Sequence, residues 1–574
     1  MNDHGNAAAY DVVVVGSGAA GMATAIVAHE LGLKPLIVES ERWFGGSTAV
    51  SAGAVWIPDN HHARAAGVAD SAEAAVAYLG GEGRNSVPEA VIRAFAETGP
   101  EAIEFLERHS EVRFYMRPNT PDYHPGRPGA ALTGRTMDTE DYDGRLLGDW
   151  FAALRPPLKH YMILGGMMAG RPDVYHLLHM TRSVASAVHS AKLFARYLKD
   201  RLGHPRGTRL TIGNALVARL AKTLRDRDIP LWLEAPAERL VVADGRVSGL
   251  VVRRDGAAVE VAARRGVVLA TGGGPHSAEL RDRLAPHARA QDHYSASPEG
   301  SRGDGLALGR AAGATLVDTN IDNLMYSPMS LVPEPGGGHA LYPHLALDRS
   351  KPGFIAVDAT GRRFTDEAAS YHDFVRGMLG LDGRGGATGA VWLVCDHRAL
   401  RRYGMGAVPP FPGPIGPHLR SGYLKRGRTL AGLAAAAGID ATALAQTVER
   451  YNGPAARGED PAFGKGGNPY DLALGDREHA PNPCNAPLAA PPFYAMRLYA
   501  GDIGASMGLR TDARARVLDQ DGAPIPGLYA CGNDATNVAG GNYPGAGSTL
   551  GPALTFAYIA ARDIAGARDG GQNP

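Results

Sequence analysis

Cysteine is scarce in this chain: its 574 residues contain three, Cys395, Cys484 and Cys531, widely separated. An iron–sulfur cluster usually needs four thiolates and covalent haem a Cys-x-x-Cys-His segment, so neither centre has its ligands here. An excess of one charge is lacking as well, because Lys plus Arg and Asp plus Glu number 59 each. A balanced chain gives no bulk electrostatic reason to expect a nucleic acid or an anionic membrane as partner. Long hydrophobic runs are missing too. No stretch is apolar for long enough to span a bilayer, and Met1-Asn-Asp-His-Gly5 has no basic segment followed by an apolar one. These absences lead us to expect a cytoplasmic protein with reduced thiols and no metal site. A chain of 574 residues is too long for one hydrophobic core, so two or more domains are expected.

What is present begins at Asp11-Val-Val-Val-Val15, a β-branched apolar run ending in Gly16-Ser-Gly18-Ala19-Ala20-Gly21. An Ala-rich stretch, Met22 to Leu31, reads as a helix. In such a strand, turn and helix, Gly16 makes the turn, Gly18 lets backbone approach a pyrophosphate, and Gly21 lets helix and strand pack closely. The helix N-terminus offers N–H groups and a favourable dipole to the phosphates. A second strand, Pro35-Leu-Ile-Val38, runs into Glu39 and Ser40, where an acidic side chain can accept hydrogen bonds from ribose hydroxyls.

Two further features favour FAD over NAD. Gly46-Ser47-Thr48 and Ser51-Ala52-Gly53 follow Glu39 closely, and their small and hydroxylated side chains suit a backbone lying along phosphates and a flavin ring. Far downstream, Val267-Val-Leu-Ala-Thr271-Gly272-Gly273 and Ile525 to Gly532-Asn533 read as apolar strands breaking at glycines, the returning strands of an interrupted FAD domain.

With these segments, Gly361-Arg-Arg-Phe364 through Glu367 to Tyr371, Arg450 to Phe463, and Tyr543-Pro-Gly-Ala-Gly547 through Thr549-Leu550 to Pro552, the chain resembles the fumarate reductase and 3-ketosteroid dehydrogenase flavoprotein superfamily from about Asp11 to Ala565. It is most similar to the 3-ketosteroid Δ1-dehydrogenase branch. The resemblance implies an α/β fold, α+β overall. A discontinuous Rossmann-like FAD-binding domain would comprise 1–320 and 489–574, with an inserted α+β capping domain over 321–488. It also implies that Ala235 joins the FAD-binding residues. FAD would be held non-covalently, since Ser47 stands about where succinate dehydrogenases carry the histidine that bonds to flavin. Tyr371 would take a proton, assisted by Tyr123, while the Tyr543 hydroxyl and the Gly547 N–H polarise a ketone oxygen. Tyr115 is an alternative partner for Tyr371, and Tyr326 an aromatic wall of the substrate pocket. The substrate implied is a small apolar cyclic ketone, above all a 3-ketosteroid. Without a cluster or haem, electrons must leave through an external acceptor such as a quinone.

Several alternatives stay open at this point. A smaller cyclic ketone, such as cyclohexanone or an oxocyclohexane carboxylate, poses the same chemical problem. A Δ4-(5α)-ketosteroid dehydrogenase, a fumarate reductase-like enzyme and a catalytically silent flavin-binding subunit follow. Fumarate is disfavoured by charge, because a dicarboxylate needs arginine clamps and Asn542-Tyr543-Pro-Gly stands where dicarboxylate enzymes place one. A mainly helical insert, about 139–205, goes beyond compact members of the branch. Its helices are expected to pack on the FAD domain, with an interfacial helix giving weak peripheral membrane association as the other reading.

Overall fold

The computed structural model describes residues 9–566 apart from 85, 290 and 291. The chain start read for a leader, and the outermost parts of the first and last segments, lie outside the described residues. Tyr10–Val15 is buried along nearly its whole length and forms an inner strand of an eight-stranded sheet. It pairs in parallel with Pro35–Val38 on one side and Ala257–Leu269 on the other. Beyond Ala257–Leu269 comes Pro524–Ala530, also parallel. The sheet therefore draws strands from both ends of the chain. Val15 stands opposite Val38 and Leu269, and Leu269 opposite Ala530, so the carboxyl ends of four strands form one row. In open α/β sheets that row is where ligands bind.

The first helix runs Ala19–Glu30, three residues earlier than the alanine pattern predicted, because Gly18 itself serves as its N-cap. Ala19 to Ala28 are all buried. Their small side chains let the helix pack against Leu550–Gly566 and Ile212–Asp226 as well as the sheet. The close fit starts at the turn: a β carbon at Gly21 would come within 2.0 Å of the Gly16 carbonyl oxygen.

A second, four-stranded antiparallel sheet is built from Phe354–Val357, Val391–Cys395, Phe493–Leu498 and Lys425–Gly427, in that order. It thus takes a strand from beyond Leu488, where the sequence reading ended the inserted segment. Leu430–Ala437 and Ala441–Ala455 cover one face of it. A small sheet of His293–Ser295, Ala500–Ala505 and Leu324–Tyr326 joins early and late segments.

Over 139–205 the longer elements are the helices Arg171–Leu178 and Val184–Asp200. The second buries Ser186, Ser190, Tyr197 and Asp200 while exposing Val184, Val188 and Leu198. Its inward face is thus largely polar, which departs from the simple expectation of an apolar face packed downward. Among the described residues no helix is long and apolar enough to cross a membrane.

Candidate active site

At the row of strand ends one cavity gathers most of the candidate residues. Gly16, Gly18, Ala19, Ala20, Glu39, Ser40, Gly46, Ser47, Thr48, Ser51, Ala52 and Gly53 line it from the N-terminal third, together with Ala235, Thr271, Gly272, Gly532, Asn533, Gly547, Thr549 and Leu550. Tyr123, Tyr371 and Tyr543 line the same cavity. Gly21 and Gly273 stand behind the wall. Gly21 packs on the Gly16 carbonyl, and the Gly273 N–H donates to Asp534 Oδ1 at 2.9 Å.

The cradle is built for a polar, extended ligand. Gly16 adopts φ +108°, and a β carbon there would meet the Ala270 carbonyl oxygen at 2.2 Å, so only glycine makes this turn. At Gly18 the nearest atom to such a carbon would be Thr48 Oγ1, 3.8 Å away, which leaves the backbone open to the cavity. Gly18 supplies no side-chain cap to the helix beyond it, and in the first turn the Ala19 N–H donates to Thr48 Oγ1 at 3.1 Å, so Thr48 is held at a terminus suited to phosphate. Glu39 is held by Ser17, whose N–H and hydroxyl donate to its Oε2 at 3.1 and 2.5 Å. Ser47 Oγ and Ser297 Oγ are buried without a hydrogen-bond partner among the described residues, and both residues line the cavity. Buried hydroxyls are normally satisfied, so these orphans are what a polar cofactor would engage. The residues present fit FAD.

Sequence reasoning gave no role to Asp534. It is fully buried and accepts from the Thr271 N–H at 2.5 Å and the Thr271 hydroxyl at 2.9 Å as well as from Gly273. It thereby ties the loops after the third and fourth strand ends together. Burial pushes its pKa up to about 6, against the hydrogen bonds that lower it.

The tyrosines form a closed cluster. Tyr123 Oη donates to Tyr371 Oη at 3.1 Å, with the rings edge to face. The Tyr543 ring lies 5.2 Å from that of Tyr371 and stacks 5.6 Å from that of Tyr123. Tyr470, which carried no signal in the sequence, closes the group 4.7 Å from Tyr123. Burial, then the neighbouring phenols, raise Tyr371 well above the ordinary phenol range. Tyr123 is raised by burial and by Tyr543, with Arg117 and Arg171 pulling it back. At rest these groups are neutral, and Tyr371 Oη is an acceptor.

Gly547 sits at φ +99°, and a β carbon there would strike the Val55 nitrogen at 2.6 Å. Its carbonyl accepts from the Trp56 and Gly551 N–H groups, while its own N–H donates to no described residue. A free donor thus lines the cavity with the Tyr543 hydroxyl.

Two expected pocket residues stand elsewhere. Tyr115 lies on the edge strand Phe114–Met116, remains 37% exposed and does not line the cavity, so it is Tyr123 that meets Tyr371. Tyr326 is buried behind the helix Tyr371–Leu379, stacked on His372 at 5.3 Å with its N–H donated to His372 Nδ1. Its neighbour Met325 is the one that joins the tyrosine cluster, because successive side chains of a strand point to opposite faces.

The cluster is held by His124, next to Tyr123. Its Nδ1 lies 2.8 Å from Glu82 Oε1 and its Nε2 2.9 Å from Asp373 Oδ2, bridging the Tyr123 loop to the helix that Tyr371 begins. Burial alone would lower its pKa, but Asp373 and Glu82 outweigh it and raise it to about 10. Because that lies above the ordinary 6.5, the bridge stabilises fully below pH 6.5 and fades as pH rises through about 10. The variant His124→Gln is expected to lose about 2 kcal/mol of stability at pH 6, with the deficit shrinking toward pH 10 in denaturant titrations. A deficit independent of pH contradicts this.

Away from the cavity, His61 Nε2 and His62 Nε2 lie 2.7 and 3.0 Å from Glu107 Oε2. This is the group among the described residues with ligand atoms close enough for a metal ion. No sequence signal pointed to it.

Comparison with known proteins agrees with this geometry. The model of the FAD binding domain family matches residues 11–550, and the chain belongs to that family. It is 39% identical, over 97% of its length and 94% of the relative's, to 4-oxocyclohex-2-ene-1-carboxylate 5-dehydrogenase of Sinomonas cyclohexanicum. It is 35% identical to 3-oxosteroid 1-dehydrogenase of Mycolicibacterium smegmatis over 97% of each chain. The structure of 3-ketosteroid Δ1-dehydrogenase from Sterolibacterium denitrificans, in complex with 1,4-androstadiene-3,17-dione, superposes with a TM-score of 0.88 at 38% identity, covering 97% of this chain and 99% of that one. The chain is an FAD-dependent oxidoreductase.

Proposed function

We propose that this flavoprotein desaturates a cyclic ketone next to its carbonyl, with Tyr371 as base, Tyr123 as its assisting donor, and the Tyr543 hydroxyl and Gly547 N–H on the carbonyl oxygen. The observation that carries the reading is the buried pair Tyr123 and Tyr371, hydrogen-bonded at 3.1 Å against Tyr543, on the cavity that also holds the dinucleotide cradle. Bound FAD supplies the acceptor for a hydride from the β carbon. The chain's own residues do the rest. Tyr371 Oη receives the proton from the carbon α to the carbonyl. Charge growing on the ketone oxygen meets two donors, a preorganised pair in which one donor is typically worth about 3 kcal/mol. The apolar cluster excludes water from the reacting carbons, which strengthens both hydrogen bonds.

A 3-ketosteroid losing hydrogens from C1 and C2 is the first substrate, supported by the 35% identical steroid relative and by the steroid complex at TM-score 0.88. A smaller oxocyclohexane carboxylate is the second. It is supported by the 39% identical relative and by an arginine, Arg171, that lines the cavity without an anionic partner among the described residues. An external quinone-like acceptor reoxidises the flavin. Anaerobic addition of the ketone tests the reading: the oxidised flavin absorbance is expected to bleach, with a product lighter by two hydrogens. A flavin that no cyclic ketone bleaches contradicts it.

A further inference from the structure

Resting on the ketone desaturase reading and on the second of its substrates, we propose that Arg171 forms an anion subsite that holds a carboxylate carried on the ring of the substrate. The cavity is lined by three arginines, Arg117, Arg155 and Arg171. Two are neutralised. Arg117 is buried and grips Asp138 through two hydrogen bonds, one of them Nε to Oδ2 at 2.8 Å, and Arg155 pairs with Glu41. Arg171 has neither a hydrogen bond nor an ion pair to any described residue.

Nothing about stability accounts for its position. It occupies the first turn of the helix Arg171–Leu178, the end where the helix dipole opposes a cation. It also stands near a second arginine: burial, then the charge of Arg117, depress its pKa, and the charge of Asp138 pulls it back. Arg171 is exposed, so its guanidinium is hydrated before a ligand enters the cavity, and a bound carboxylate would replace that water with charge-assisted hydrogen bonds. A planar guanidinium pairs with a carboxylate through two parallel hydrogen bonds, which makes arginine the side chain for that task.

The placement fits a ring acid. The charges of Arg117 and Arg171 act on Tyr123, whereas the groups that shift Tyr543 include no arginine. Arg171 lines the same cavity as Tyr123 and Tyr543. In this one cavity a ring acid meets donors for its ketone oxygen at Tyr543 and Gly547 and a guanidinium for its carboxylate at Arg171. A hydrocarbon steroid body would leave the guanidinium unpaired.

The test uses the full-length, FAD-loaded protein and separates binding from turnover. Calorimetry compares cyclohexanecarboxylate with cyclohexanecarboxamide, which has the same shape without the charge. The wild type is expected to prefer the carboxylate on the order of 100-fold, as a charge-assisted pair gives. In Arg171→Gln that ratio is expected to fall to within about 3-fold, and in Arg171→Lys, which keeps the charge but loses the fork, to an intermediate value. With 4-oxocyclohexanecarboxylate as substrate, Arg171→Gln should raise KM far more than it lowers kcat. A wild-type ratio near one, or an unchanged ratio in Arg171→Gln, overturns the subsite. Neither binding probe carries a ketone, so failure of every ketone to bleach the flavin would sink the desaturase reading and leave this ratio to be judged by itself. Bleaching by cyclohexanone without charge discrimination would sink the subsite alone.

Discussion

Replacing Tyr371 by phenylalanine is expected to lower kcat by roughly 10³-fold, within the range for a positioned general base. The variant keeps the ring that packs 5.2 Å from Tyr543 and loses the oxygen that accepts from Tyr123 at 3.1 Å. Folding and ligand binding should persist, so the flavin spectrum should still be perturbed by a bound ketone that it no longer oxidises. Because burial and the two neighbouring phenols hold the Tyr371 hydroxyl well above the ordinary phenol range, the wild-type rate should climb as pH rises through the neutral region. The Tyr371→Phe rate should not follow that climb. A variant that retains more than about a tenth of the wild-type kcat would move the base to another group.

The second large effect is expected at the carbonyl. Tyr543→Phe should lower kcat by about 10²- to 10³-fold, the usual loss of one oxyanion donor. The rate should still climb with pH, because Tyr371 remains the base, with the climb moved toward lower pH by loss of a phenol that raises Tyr371. Gly547→Ala should be at least as severe for a different reason. The position needs φ +99°, and a β carbon would sit 2.6 Å from the Val55 nitrogen and 2.7 Å from the Ala54 carbonyl. The turn must then shift, carrying its N–H away from the oxygen. A phenol bound as a mimic of the enolate reports this loss without turnover: its affinity should drop in both variants. Unchanged affinity in both would mean that the ketone oxygen lies elsewhere.

The parts of this account written locally in the chain could be read from it. Gly16, Gly18 and Gly21 act within one turn, and the strand before them and the acidic residue after the next strand are close in sequence. Their joint meaning survives without the rest of the fold. The cluster of Tyr123, Tyr371 and Tyr543 spans more than four hundred residues and was legible through resemblance, not spacing. Tyr326 shows the limit of that route. In a three-residue strand, a shift of one position exchanges the two faces, so Met325 meets the tyrosines and Tyr326 meets His372. Tyr115 fails similarly, on a short edge strand whose side chain faces outward. Tyr470, Asp534 and His124 gave no signal because their partners lie far away in the chain: Asp534 caps loops 261 to 263 residues earlier, and His124 reaches 249 residues ahead to Asp373. Arg171 was hidden for the opposite reason. Its significance is the lack of a partner, which appears only once every neighbouring carboxylate has been placed.

The most direct measurement is anaerobic stopped-flow absorbance of the FAD-loaded protein, mixed separately with a 4-ene-3-ketosteroid and with 4-oxocyclohexanecarboxylate, with the product of each identified. The account predicts rapid bleaching of the oxidised flavin by at least one of them and a new double bond beside its carbonyl, both abolished in Tyr371→Phe. A flavin that stays oxidised with both ketones, or one that bleaches equally fast in Tyr371→Phe, would contradict it.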